Sequence, residues 1–402
     1  MSAAHPFGPG DAADFLPLTP TPFTWSLFQE GWRHARELIA RVWDQPLPQE
    51  VWQLDGGTVI TSPEWMQALA GALHRPTPVA AAALGVPEEA LPSRPRGRGL
   101  LGLFRRASGT PWAKHMALVT EEIGRVARWE RSVAAMRWSQ ADILQVMEEV
   151  GPFLGRALAA WTIATVALAD EGGALEDPEV LCEAVALHSG EIIPWLRTLH
   201  EVSMWVRKGL PESLDDLFRK RSWLATQPFE VAVPRWWEDA SPLVAYVHAH
   251  ATPVSIHEPP PSRAPLRWAR PRERARTAVA RVIATTRGWV LAAVQDPMRE
   301  GVLHSPREAF LLTLEELKQL MTGEWNRREQ VRPHVEERSR TWDDSAFAEL
   351  ANAFPAEENG VVKARGWHAG WAIAALRGKM LSTENRSALS YGHLLATVVG
   401  AG

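Results

Sequence analysis

The stretch from Ala157 to Ala169 carries no charged residue and is apolar on every face. A helix of that composition is stable only when wrapped on all sides, by protein or by lipid. The run is too short to cross a bilayer, which needs about 20 apolar residues, so it reads as a helix buried in protein. The rest of the chain must therefore supply its cover. Hydrophobic residues make up 46% and charged residues 22% of the 402 positions, enough for one large helical body or two to three ordinary domains.

Helical periodicity supplies that cover. Trp25, Phe28, Trp32, Ala35, Leu38, Ile39 and Val42 recur at helical spacing, with Thr24 as the expected N-cap and Pro46 and Pro48 as the stop. Ser62-Pro63-Glu64 opens a second helix, with serine as cap and proline in the first turn. From Pro111 to Gly209 helix follows helix: Ser139 and Asp142 form a capping-box variant, and Gly151-Pro152 is expected to break the chain before Phe153–Ala169. A long helix is expected from about Arg272 to Met298, a brief extended piece over Phe310–Thr313, and helices again from Leu314. The expected class is all-α with at most a few short strands. The expected organisation is a flexible arm over residues 1–23, a helical domain over 24–345 and a C-terminal extension over 346–402.

Composition excludes several functions. A net charge of −4 is wrong for a dedicated nucleic-acid binder, and no membrane span is expected. The single cysteine, Cys182, forbids an internal disulfide framework, and the start of the chain has no basic signal-peptide pattern, so the expected compartment is the cytoplasm. Twenty Trp against two Tyr and eleven Phe is an unusual aromatic choice. It fits either thick helix packing or a wide pocket for a large apolar ligand.

No phosphate-cradling glycine loop, zinc spacing or H-E-x-x-H pair occurs, so neither a metal nor a cofactor is implied. Asp215-Asp216 and Asp343-Asp344 fall at expected helix starts, where acids suit the helix dipole. Cys182 and His188 point to different faces of a helix, and so do His248 and His250. The arginines at 94, 96, 98, 105 and 106 form a basic loop that either is solvated or docks phosphate, a membrane or a partner protein.

Three stretches resemble one family. Leu16 to Leu27 (LPLTPTPFTWSL) is similar to the opening of the central substrate domain in phosphoenolpyruvate-synthase-like and rifampicin-phosphotransferase-like proteins. Phe229 to Asp239 (FEVAVPRWWED) resembles the family pattern E-x-d-l-a-x-P-R-W-x-E-D. Gly301 to Leu317 resembles G-x-l-x-x-p-x-D-v-F-f-L-T-x-x-E-L, and the three occur in the family's order across residues 15–345.

The resemblance implies a helical domain that holds a phosphoryl acceptor between an ATP-grasp domain and a swivelling phosphohistidine domain. This chain begins where the ATP-grasp part would have ended. Residues 364–372 and 389–396 only echo the first strands of the swivelling domain, and Arg221 to Pro228 stands where the family has Gly-His-Arg. The resemblance places Thr24 and Trp25 at the mouth of the acceptor pocket. Arg235, Trp236 and Glu238, with Asp239, either line that pocket or form ion pairs and an aromatic plug. Arg327 and Arg328, on the following helix, either face an anionic group of a ligand or form a solvated helix face.

The expected function is a stand-alone, repurposed substrate domain. It would hold a bulky apolar small molecule such as a secondary metabolite, for a nucleotide-independent cyclisation, isomerisation or dehydration. The alternative is one subunit of a split phosphotransferase, completed by separate ATP-grasp and phosphohistidine proteins.

Overall fold

A computed structural model describes residues 18–91, 114–173, 221–249, 266–325 and 327–352, with isolated positions such as Phe15, Leu16, Trp112, Leu181 and Phe218 and a short β-pair near 360. Among the described residues 67% are helical and 3% are in strands, so the protein is mostly α, as its periodicity indicates. Eleven α-helices are found among the described residues, in order: α1 Pro22–Trp43, α2 Pro63–Ala72, α3 Pro78–Leu84, α4 His115–Ala134, α5 Gln140–Gly172, α6 Ser241–Ala249, α7 Ala269–Ala293, α8 Gln295–Arg299, α9 Leu314–Thr322, α10 Arg332–Arg338 and α11 Asp344–Asn352. The hairpin β1 Trp52–Asp55 and β2 Thr58–Thr61 stands between α1 and α2, turning through Gly56-Gly57 at positive φ. A second antiparallel pair, β3 Glu357–Glu358 and β4 Val361–Val362, follows α11.

The apolar run forms the C-terminal half of α5, and every residue from Ala157 to Ala169 is buried. Helices α1, α3, α4 and α7 pack around α5 and give it the cover its composition demands. Gly31 and Gly155 bring α1 and α5 unusually close: a methyl group on Gly155 would lie 2.8 Å from the Gly31 carbonyl and 2.9 Å from the Ala35 nitrogen. By length and composition α5 and the α7–α8 stretch resemble membrane spans, and 83% and 61% of their most apolar windows are buried inside the protein, as in the core helices of proteins that pass the same test.

Several helix signals read in the sequence hold. Ser62 caps α2, and Ser139 with Asp142 forms a reciprocal capping box on α5. Asp343 accepts from the Ser345 and Ala346 amides at the start of α11. Three expectations are corrected. Thr21, not Thr24, caps α1, because Pro22 suits the first helical position and leaves Thr24 in the first turn, where its hydroxyl is used elsewhere. Pro152 does not break the chain. A proline inside a helix costs about 3 kcal/mol, but Val146, Val150, Leu154 and Leu158 on either side are all buried, each stabilising by about 1.5–3 kcal/mol, so burial wins. Over Phe310–Thr313 only Leu312 and Thr313 are extended; Phe310 and Leu311 end a 3-10 turn from Pro306, and Thr313 forms a capping box with Glu316 on α9.

Within the segment expected as a flexible arm, Phe15 and Leu16 are buried in the core. They are packed rather than loose, because Phe15 is surrounded by Phe28, Trp52, Trp161 and Phe229. The basic loop, Cys182, His188, His250, Asp215-Asp216 and residues 364–402 lie outside the described residues.

Candidate functional site

The first and second family-like stretches meet at Glu230. Its side chain is fully buried, and its Oε1 accepts from Thr21 Oγ1 at 2.8 Å, Thr24 Oγ1 at 2.5 Å and the Ala232 amide at 2.9 Å. Its Oε2 accepts from the Thr21 amide at 3.1 Å. Thr24 Oγ1 in turn accepts from the Val231 amide at 3.0 Å. One carboxyl group thus ties the start of α1 to a turn 206 residues away. Burial pushes the Glu230 pKa above its ordinary value, although the Thr24, Ala232 and Thr21 donors pull the other way.

Two arginines brace the same turn. Arg235 is buried and donates to the Pro228 carbonyl at 3.1 Å and the Glu230 carbonyl at 2.7 Å. Burial, with Arg287 nearby, lowers its pKa to about 9, opposed by Glu238 and Glu230. Arg287 reaches across from α7, binding both Glu238 oxygens at 2.9 and 3.0 Å and the carbonyls of Val231 and Ala232. The planar five-donor fork of arginine suits this arrangement of carboxylate and carbonyls. Trp236 is buried edge-on to Phe218, and its indole N–H reaches Thr226. Thr24, Arg235, Trp236 and Glu238 are therefore brought together as a closed polar latch. Trp25 is half-buried on α1, and Asp239 accepts from the Ser241 amide just before α6. Arg327 and Arg328 lie in a π-turn, Arg327–Val331, and their side chains are outside the described residues.

A second concentration of charge lies on α7. Arg272, Glu273 and Arg276 share one face of the helix and are each at most 1% exposed. Arg272 and Glu273 form an ion pair. The Arg276 guanidinium lies over two rings, 5.4 Å from the Phe15 centroid and 5.7 Å from that of Phe229. Phe15 is edge-on to Trp161 of α5 at 4.4 Å. These charged residues occupy core-facing positions of a helix whose neighbours Ala269, Ala275, Val279 and Ile283 are all buried, a burial that shows only once the helices pack. Phe15 and Arg287 were equally hidden, since their partners are remote in sequence.

Among the described residues no group of His, Cys, Asp and Glu could hold a metal ion. The chemistry offered is positional: buried guanidinium and carboxylate groups, fixed by neighbours, inside an aromatic wall. No protein-family model, curated protein or solved structure matches the chain.

Proposed function

We propose that this chain is a substrate-holding helical domain that encloses a bulky, ring-rich small molecule among α1, α5 and α7. The observation that carries this reading is the buried charge of Arg272, Glu273 and Arg276 beside Phe15, Phe229 and Trp161. Removing an ion from water costs several kcal/mol, and pairing within the protein often returns no more than that, so well-packed apolar residues would serve stability as well or better. Ionisable groups kept in such surroundings suit the orientation of a bound molecule and of charge that develops on it. The likeness of residues 16–27, 229–239 and 301–317 to the substrate domain of phosphoenolpyruvate-synthase-like and rifampicin-phosphotransferase-like proteins points the same way. In this reading the Glu230 latch holds the shape of the wall, and the α7 charges face the guest. A cyclisation, isomerisation or dehydration would need no more than such positioning.

Tryptophan fluorescence and melting temperature, recorded against a panel of polycyclic apolar compounds, test the proposal. Saturable quenching with a rise in melting temperature is expected, since a ligand at a hundredfold its Kd stabilises the folded state by about 2.7 kcal/mol. No response to any member of the panel would remove the reading.

A further inference from the structure

We propose that α11 is a strap: it fastens the seam between residues 18–24 and the 225–233 turn, and it undocks as a unit about residues 339–343. That seam joins the first two family-like stretches. Phe15 meets Phe229 across it with ring centroids 4.3 Å apart, and Thr21 and Thr24 meet the Glu230 carboxyl. A small apolar cluster, separate from the main core, closes the seam at another point. Leu350 of α11 belongs to it with Ala225 and Val233, and Leu18 packs against it. One side chain of α11 thus shares a cluster with both halves of the seam.

The attachments of α11 are few. Phe347 and Leu350 are its two buried side chains. Phe347 sits beside Trp342, with ring centroids 5.8 Å apart, and under the Arg307 guanidinium at 5.7 Å. Among the described residues the other tie is the exposed ion pair from Arg307 to Asp344 at 2.9 Å, and exposed pairs of this kind hold little. At nine residues α11 is shorter than the roughly 12–15 at which an isolated helix is even marginal, so docking maintains it. Its N-terminal cap is its own, since Asp343 accepts from the Ser345 and Ala346 amides. The helix before it is anchored, because Arg338 of α10 grips both Glu316 oxygens and the Leu311 carbonyl. Residues 339–343 therefore separate a fixed α10 from a self-capped α11, which is where a hinge belongs. Elements held this lightly open well before the whole protein unfolds. A guest enclosed beside Phe15 and Phe229 needs such an opening; that use of the strap rests on the small-molecule reading above.

Hydrogen exchange of the full chain, read by mass spectrometry, tests the strap without any ligand. Amides of α11 should exchange at least about tenfold faster than those of α5, yet more slowly than in an unfolded chain. Leu350→Ala should quicken exchange in α11 about thirtyfold or more, as loss of a buried leucine implies, and quicken the 225–233 peptides with it. Asp343→Ala removes the cap without touching either half of the seam. About fivefold faster exchange is then expected in α11, again shared by 225–233, with α5 unchanged in both variants. Exchange of α11 only in step with α5, or 225–233 peptides indifferent to both variants, would overturn the strap. Such a failure leaves the small-molecule reading standing, since that reading falls only with the ligand panel.

Discussion

Replacing Glu230 offers a sharp test of the latch between α1 and the 226–239 turn. In Glu230→Ala four donors lose their acceptor: the Thr21 amide, the Thr21 and Thr24 hydroxyls and the Ala232 amide. The hydroxyls are able to turn toward each other, since they already sit 3.1 Å apart. The two amides have no such escape, and each stranded buried donor costs about 1–3 kcal/mol. Adding the small void left by the lost side chain gives about 4 kcal/mol in total. Glu230→Gln keeps one acceptor oxygen and the volume, so it should cost about 1–2 kcal/mol.

The pH dependence has a definite sign. Glu230 binds its proton more tightly in the folded state than its ordinary value of 4.5. Its contribution is therefore complete below the unfolded pKa and is lost as pH rises through the folded pKa. Melting curves of wild type and both variants between about pH 4 and pH 9 provide the assay. Wild type should lose its advantage over Glu230→Gln as pH rises. Equal costs for alanine and glutamine, or a wild-type-to-glutamine difference that is flat with pH, would refute the reasoning.

Thr24→Val removes one donor to Glu230 and the acceptor of the Val231 amide, and should cost about 2 kcal/mol in chemical unfolding. Gly155→Ala pushes a methyl group against α1 backbone and should lower the melting temperature, at a cost of about 2 kcal/mol. Gly288→Ala, on α7 with nothing within 4 Å, should raise it, since alanine is the better helix former by up to about 1 kcal/mol. Arg287→Lys keeps the charge but loses the two-oxygen grip on Glu238 and at least one carbonyl bond, so a loss of about 2 kcal/mol is expected in the same assay.

How far the fold was legible follows from where each signal resides. Local chemistry spoke clearly: Ser62 with Pro63, Ser139 with Asp142 and the uncharged run in α5 declare themselves within a few residues. Pro152 misled because its local penalty is outweighed by packing on both sides of it, which only the assembled helices reveal. Thr24 looked like a cap because threonine favours caps, whereas its hydroxyl serves Glu230 far along the chain. The motif residues at 230, 235 and 238 were visible as a cluster in sequence, but Arg287, which binds them, was not. The α7 charges escaped notice because a charged residue on a helix is usually solvated, and burial of Arg272, Glu273 and Arg276 depends on what packs opposite.

Native mass spectrometry of the protein, isolated gently from its producing cells, tests the central claim most directly. The buried charge beside the aromatic rings predicts a co-purifying, ring-bearing small molecule of defined mass that is lost on denaturation. A chain found at its bare mass, in stoichiometric complex with an ATP-grasp or phosphohistidine protein, would contradict it and make the domain one subunit of a split phosphotransferase.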